Sequence, residues 1–390
     1  MLIGLDAIPL TEPLSGVGRY TLELARALAA ASPADDFELV YPARYPPITI
    51  AEDDGEPAGG GGGSFPPNLK LARVRAGLLG RRWWLVGLPR QLKRRRRALF
   101  HGTNYEVPLR AACPTVLTVH DLSAFTHGET QLPRRARRLR RRLPLMARAA
   151  THVITPTEAV RREACEILKL DAAKVTAVHE APRAVFRPLA RERAAGVLRR
   201  LGVAGDFLLA VGTIEPRKNL TTLVAAFERV ALSRPLTLVV AGREGWLVET
   251  LRARVESSPA RERVRFTGHL PDETLRALYS SCLAFVYPSL YEGFGLPPLE
   301  AAACGAAVVA SRIPPLEETL GERGALLFDA DDADGLARAL HDLCDDESLR
   351  GRLALAGRQR AAEFTWERAA RETLAVYARA LGAGSRVDVD

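Results

Sequence analysis

Ten consecutive residues, Tyr291-Glu292-Gly293-Phe294-Gly295-Leu296-Pro297-Pro298-Leu299-Glu300, place two carboxylates around a loop that carries two glycines. An ionised carboxylate accepts paired hydrogen bonds from vicinal hydroxyls, so one can hold a sugar ring and the other a ribose. The loop N–H groups of Gly293, Phe294, Gly295 and Leu296 point at where a phosphate would sit. A helix start with acids favouring its dipole explains Glu300, read here on the first helical turn, but leaves Glu292 and the glycines unexplained. Earlier in the chain, Val211-Gly212-Thr213-Ile214-Glu215-Pro216-Arg217-Lys218-Asn219-Leu220 leads from an apolar strand into a helix. Arg217 offers a planar fork and Lys218 a point charge, a pair suited to a pyrophosphate and to the charge that grows on it as it leaves. The bland alternative is a solvated helix cap.

The first half carries weaker signals. Ser15-Gly16-Val17-Gly18-Arg19-Tyr20 precedes a helical pattern, so Gly16 and Gly18 can bring backbone N–H groups close to an anion, or can simply make a tight turn. His120 and Asp121 follow the apolar strand TVLTV, a position at a strand's carboxyl end. His101-Gly102-Thr103-Asn104-Tyr105 repeats that arrangement, and His127 and Glu129 follow in AFTHGET. These suggest an acceptor side formed by Asn104, Tyr105, Asp121 and His127, with ordinary structural roles as the alternative.

Elements must position these groups, and the hydropathy pattern supplies them. Short apolar runs at Leu2–Leu5, Phe37–Tyr41, Leu69–Arg73, Ala98–His101, Thr115–Val119 and His152–Thr155 alternate with amphipathic stretches. The same holds for Phe207–Val211, Leu236–Ala241, Val264–Thr267, Ala284–Tyr287, Ala307–Ala310 and Ala325–Leu327. Alternation of this kind predicts α/β lobes around parallel sheets, joined near Glu180–Leu189, where Pro182 and Pro188 disfavour helix. The chain has 390 residues, enough for two or three domains, and 47% are apolar. The stretch Glu52–Pro67, with its GGGGGS run, reads as a loop of natural or introduced origin.

Composition narrows the class further. The five cysteines are widely spaced with no C-x-x-C pair, which argues against a disulfide framework or a zinc site and favours a reducing cytoplasm. No signal-peptide pattern opens the chain and no long uncharged apolar run follows, so any membrane contact is expected to be peripheral. The net charge of +9 is concentrated in Arg81–Arg97 and Arg134–Arg148, where arginines interleave with Trp, Leu and Met. Such runs suit a surface that meets anionic lipid headgroups at the inner face of the cell membrane, or a merely solvated basic face. The acidic run Asp329–Asp334 reads as a helix cap rather than a metal site.

Taken together, the Glu292/Glu300 pair, VGTIEPRKNL, SGVGRY and the TVHDL strand end resemble the retaining family 4 glycosyltransferases of GT-B architecture. The resemblance covers nearly the whole chain and is closest to bacterial mannosyltransferases and rhamnosyltransferases of O-antigen and other surface polysaccharides. It implies two Rossmann-like domains facing across a cleft: residues 1–185 for the acceptor, 186–363 for a nucleotide-sugar donor, and 364–390 as a helix and tail crossing back to the first domain. It implies that Arg217 and Lys218 bind the diphosphate with Gly16, Gly18 and Gly212 nearby, that Glu292 holds sugar hydroxyls and Glu300 the ribose, and that His120 lies beside the reacting carbon. Neither a resident cofactor nor a metal is implied. The expected donor is GDP-mannose and the expected acceptor a glycan or lipid-linked saccharide. Competing readings are a basic nucleic-acid-binding protein, which the arginine runs alone would permit, and a phosphorylase or epimerase on the same fold.

Overall fold

The computed structural model describes residues 1–12, 14–49, 65–75, 77 and 82–384. The glycine-rich run and Arg81 lie outside the described residues. The chain forms two compact units, one of residues 1–125, 134–180 and 365–390, the other of residues 126–133 and 181–364.

The first unit is built on seven strands: β1 (Leu2–Asp6), β2 (Asp36–Pro42), β3 (Leu69–Val74), β4 (Leu99–Gly102), β5 (Thr115–Thr118), β6 (His152–Thr155) and β7 (Val175–Ala177). They pair in the order β3-β2-β1-β4-β5-β6-β7, every pairing parallel. The second unit has six: β8 (Phe207–Val211), β9 (Thr237–Ala241), β10 (Val264–Gly268), β11 (Ala284–Tyr287), β12 (Val308–Ser311) and β13 (Leu326–Phe328). Their order is β10-β9-β8-β11-β12-β13, again parallel throughout. Central strands such as AFVY and VVAS are buried along their whole length, as helices on both faces of a parallel sheet require. Both units are Rossmann-like, as the alternation predicted. The short strand β7 was not foreseen, because three residues at a sheet edge, two of them half-exposed, write no apolar run.

Two expectations are corrected by packing. Trp83 and Trp84 fall in a run that reads as a lipid-facing or a merely solvated basic surface, but they are buried in a core cluster with Val40, Leu88, Leu92 and Phe100. Arg97, counted in the same basic run, is itself buried, and its guanidinium donates to Glu38 Oε2 at 2.5 Å while Arg95 donates to Oε1 at 2.7 Å. Those arginines neutralise a buried acid. In the acidic run, Asp332 caps the helix Ala333–Asp345 by accepting from the Gly335 N–H at 2.7 Å. Among the described residues no helix is long and apolar enough to cross a membrane.

The final helix, Trp366–Gly384, returns to the first unit and packs against the helix Gly16–Ala31. Buried polar groups tie it there: Tyr377 Oη lies 2.7 Å from His101 Nδ1, and His101 Nε2 lies 2.8 Å from Thr118 Oγ1. Burial, reinforced by the neighbouring His120, pushes His101 down to about 3, so the ring is neutral. Removing the Tyr377 hydroxyl leaves a buried ring nitrogen without its partner. Tyr377→Phe is therefore expected to lower the unfolding free energy by about 1–3 kcal/mol, read from urea unfolding followed by circular dichroism; an unchanged midpoint would mean that the hydrogen bond does not hold the helix.

Candidate functional site

In a parallel sheet, ligands bind outside the carboxyl ends of strands where the strand order reverses direction. In the second unit that point lies between β8 and β11, and the two polar motifs follow those strands. After β8 the chain turns through a short 3-10 segment, Pro216–Lys218, which ends at Asn219 in the left-handed region (φ 51°). Asn219 holds this turn by donating from Nδ2 to the Ala330 carbonyl at 2.7 Å. The turn presents Arg217 and Lys218 to the loop that follows β11.

Their anchor there is Glu292. Lys218 Nζ donates to Glu292 Oε1 at 2.6 Å and to Tyr287 Oη at 2.7 Å, and lies 4.8 Å from the centre of the Tyr287 ring. Arg217 Nη1 stands 2.9 Å from Glu292 Oε2 and donates to the Tyr291 carbonyl at 2.7 Å, while Nη2 donates to Glu215 at 2.7 Å. All these side chains are largely withdrawn from water. Burial alone would raise the Glu292 carboxyl, but Arg217 and Lys218 outweigh it and hold the group at about 2. Burial pushes the Lys218 ammonium down, with Glu292 opposing it.

Backbone geometry explains why glycine occupies the ends of β8 and β9. Gly212 and Gly242 have φ of 149° and 150°, and a Cβ at Gly242 would sit 1.8 Å from the Gly212 carbonyl oxygen. Gly242 was not singled out from the sequence, although LAVG and VVAG repeat one signal, an apolar strand ending in glycine.

Glu300 belongs to the helix Leu296–Ala303, which begins at Leu296, so the carboxylate sits in the second turn and not in the first as expected. It is 8% exposed, with Tyr279 Oη 3.5 Å from Oε2 and Arg183 Nε 3.8 Å from Oε1. Arg183 also forms a two-pronged ion pair with Asp272, Nη2 to Oδ1 at 2.8 Å and Nη1 to Oδ2, and lies over the Phe186 ring. Neither Arg183 nor Asp272 stood out in the sequence, for they lie 89 positions apart and only the fold unites them. Phe294 is a packing residue here, 4% exposed with its ring against Phe364.

Comparisons with known proteins give this geometry its family. The pattern described as "Glycosyl transferases group 1" matches residues 203–360, and "Glycosyltransferase Family 4" matches residues 14–181. The O-antigen chain mannosyltransferase B of Escherichia coli is 31% identical over 376 residues, 95% of this chain and 97% of that protein. The chain belongs to the family 4 glycosyltransferases. Its fold is shared by the sucrose-phosphate synthase of Thermosynechococcus elongatus, TM-score 0.75 at 22% identity over 98% of this chain and 99% of that one. It is also shared by the Anabaena protein HepE, solved in complex with UDP and glucose, TM-score 0.72 at 18% identity over 96% and 99%. The architecture is GT-B.

The remaining candidates lie elsewhere in the glycosyltransferase. In the first unit, Ser15 caps the helix Gly16–Ala31 and accepts from the Gly18 N–H at 3.5 Å. A Cβ at Gly18 would come 2.9 Å from the Pro9 carbonyl, so this glycine answers to packing, whereas Gly16 faces open space. His120 is buried, its Nε2 donating to the Thr103 carbonyl at 2.8 Å and its Nδ1 3.4 Å from Glu180, with the rings of Tyr20 and Tyr105 edge-on. Asp121 accepts from the Ser123 N–H and hydroxyl at 2.9 and 2.6 Å, and its own N–H donates to Tyr105 Oη. Asn104 lines a cavity of the first unit. His127 departs from the expectation that grouped it with these residues. It belongs to the second unit, its ring 5.0 Å from that of Tyr291, and the neighbouring Thr130 carbonyl accepts from Trp246 Nε1 at 2.9 Å.

The Glu292 ion pairs carry a pH signature. A carboxyl held below its ordinary 4.5 contributes stability that is fully present above that value and is lost as pH falls towards about 2. Glu292→Gln strands two buried cations and is expected to cost about 3–5 kcal/mol near neutrality. The gap from wild type should narrow steadily between about pH 5 and 2 in urea unfolding; a gap constant over that range would contradict the pairing.

Proposed function

We propose that this glycosyltransferase moves a mannosyl group from GDP-mannose to a glycan acceptor in O-antigen or related surface-polysaccharide assembly, with retention of configuration and without a metal. Similarity over nearly the full length of an O-antigen mannosyltransferase supports the sugar and the setting. The observation that carries the chemistry is the single carboxylate, Glu292, gripped by both Arg217 and Lys218 at the strand ends. The phosphate oxygens of a sugar diphosphate compete with Glu292 for those cations. Each cation drawn to phosphate frees a Glu292 oxygen to accept from a sugar hydroxyl, so donor binding exchanges one set of charge-assisted bonds for another. Glu300, positioned by Arg183, takes the ribose, and backbone N–H groups from Gly293 to Leu296 lie along the sugar and phosphate.

In the reaction as we read it, the bond from the anomeric carbon to the phosphate oxygen breaks while the acceptor hydroxyl oxygen bonds to that carbon on the same face. The acceptor proton passes to the departing phosphate oxygen. Negative charge on the diphosphate is stabilised by Arg217 and Lys218, the service a divalent cation performs in other transferases. His120 has both ring nitrogens engaged, which suits a stabilising and positioning role over that of nucleophile or base. All five cysteines are free thiols, in keeping with a cytoplasmic setting.

The test pairs binding with turnover. GDP-mannose and GDP should raise the melting temperature more than UDP-glucose and UDP in EDTA-containing buffer. Lys218→Ala should lower kcat for mannosyl transfer by about 100-fold or more while retaining the wild-type circular dichroism spectrum. Turnover at the wild-type rate in that variant, or a strict divalent requirement, would overturn the assignment.

A further inference from the structure

Each cation of the ion cluster has a shared partner and a private one. Glu292 is shared: Oε1 takes Lys218 at 2.6 Å and Oε2 takes Arg217 at 2.9 Å. The private partners differ. Lys218 Nζ also donates to Tyr287 Oη at 2.7 Å, and Arg217 Nη2 donates to Glu215 Oε1 at 2.7 Å. The transfer chemistry above gives neither Tyr287 nor Glu215 a part.

We propose that Tyr287 and Glu215 are positioning residues, which hold Lys218 and Arg217 against the diphosphate once Glu292 has turned to the sugar. Their role presupposes the transferase reading and extends it.

The first support is donor capacity. An ammonium has three donors. Among the described residues, Lys218 Nζ uses two of them, on Glu292 and Tyr287, and the third remains for a ligand. When Glu292 accepts from sugar hydroxyls instead, Tyr287 still holds the ammonium. Glu215 stands in the same relation to Arg217: it binds the nitrogen that Glu292 does not, so release from Glu292 leaves that bond in place.

The second is rigidity. Tyr287 closes β11, pairs with Ala310 of β12 and stacks its ring on that of Phe285 at 6.0 Å. Glu215 follows Ile214, whose N–H donates to the Arg243 carbonyl at 2.8 Å and whose carbonyl accepts from the Gly245 N–H at 3.0 Å. The Glu215 carbonyl then accepts from the Lys218 N–H at 3.0 Å, closing the turn that carries both cations. Glu292, by contrast, lies in the loop between β11 and the helix Leu296–Ala303. Groups on strands and closed turns hold their geometry better than groups on loops.

The third is charge. Burial, with the Glu292 carboxylate alongside, pushes the Tyr287 phenol well above its ordinary range, so its oxygen is a neutral acceptor. A neutral partner steadies Lys218 without cancelling the charge that a departing phosphate needs.

The experiment compares GDP-mannose with GDP by isothermal titration of the full-length protein in EDTA-containing buffer, and follows mannosyl transfer in parallel. GDP brings no sugar, so Glu292 keeps its hold and the private partners matter little; GDP-mannose draws Glu292 away. Tyr287→Phe and Glu215→Ala should each weaken GDP-mannose and lower kcat by about tenfold or more, while moving GDP by less than about threefold. Glu215→Gln keeps an oxygen for Arg217 and should recover most of the loss. A purely structural role would weaken both ligands alike. Equal losses for the two ligands, wild-type donor binding and turnover in both variants, or no recovery in Glu215→Gln each overturns the proposal. The two positions lie on separate elements, so if circular dichroism shows one variant misfolded, the other decides. Lys218→Ala tests the underlying reading separately. If it binds GDP-mannose as tightly as wild type, the transferase chemistry assigned to the cluster fails; if it loses binding while Tyr287→Phe and Glu215→Ala do not, only the positioning role fails.

Discussion

Burying one carboxylate between two cations is the constraint around which the second unit is organised. None of the three charges would be tolerated so far from water alone, since an uncompensated buried ion costs several kcal/mol. Glu292 lies 74 positions from Lys218 in sequence, so the pairing exists only because β8 and β11 are neighbours in the sheet. Everything nearby serves that proximity: the left-handed turn at Asn219, the glycines that let the ends of β8 and β9 come together, and the Tyr291 carbonyl that takes a second bond from Arg217. A site of this kind is preorganised by its own internal neutrality. On the proposed reading it is also poised for exchange, because an incoming anion would meet cations already desolvated.

Much of the architecture could be read from the sequence because strands buried on both faces must be apolar throughout. FLLAV and AFVY announce themselves for that reason, whereas β7 is too short and too exposed at the sheet edge to do so. The polar motifs were visible because they interrupt apolar runs at strand ends, and the structure brings Arg217, Lys218 and Glu292 into direct contact. What stayed hidden were partnerships over long separations. Arg183 sits in a segment that reads as a linker, and nothing local in the sequence joins it to Asp272 and Glu300. The tryptophans mislead for a related reason: arginine interleaved with aromatics is written the same way whether the rings face lipid or, as with Trp83 and Trp84, fill a core.

The two sheets share one topological logic and are furnished differently. At its reversal point the second carries a closed ion cluster, with each cation satisfied by oxygen atoms of its own chain. The first carries open space rimmed by donors. Deeper in, the first unit relies on a neutral buried network, in which His101 links Tyr377 to Thr118, and on Glu38 shared by two arginines. Its polar interior serves cohesion.

The chain passes between the units four times, at 125/126, 133/134, 180/181 and 364/365. Inheritance therefore cannot shuffle these halves by a single crossover. A recombinant that took residues 1–180 from one parent and the remainder from another would match His101 with a foreign closing helix, and would carry an eight-residue excursion shaped for the wrong neighbour. Viable hybrids must exchange the terminal helix together with the opening segment, which restricts how readily such a gene acquires a new specificity by exchange and favours change residue by residue within each half.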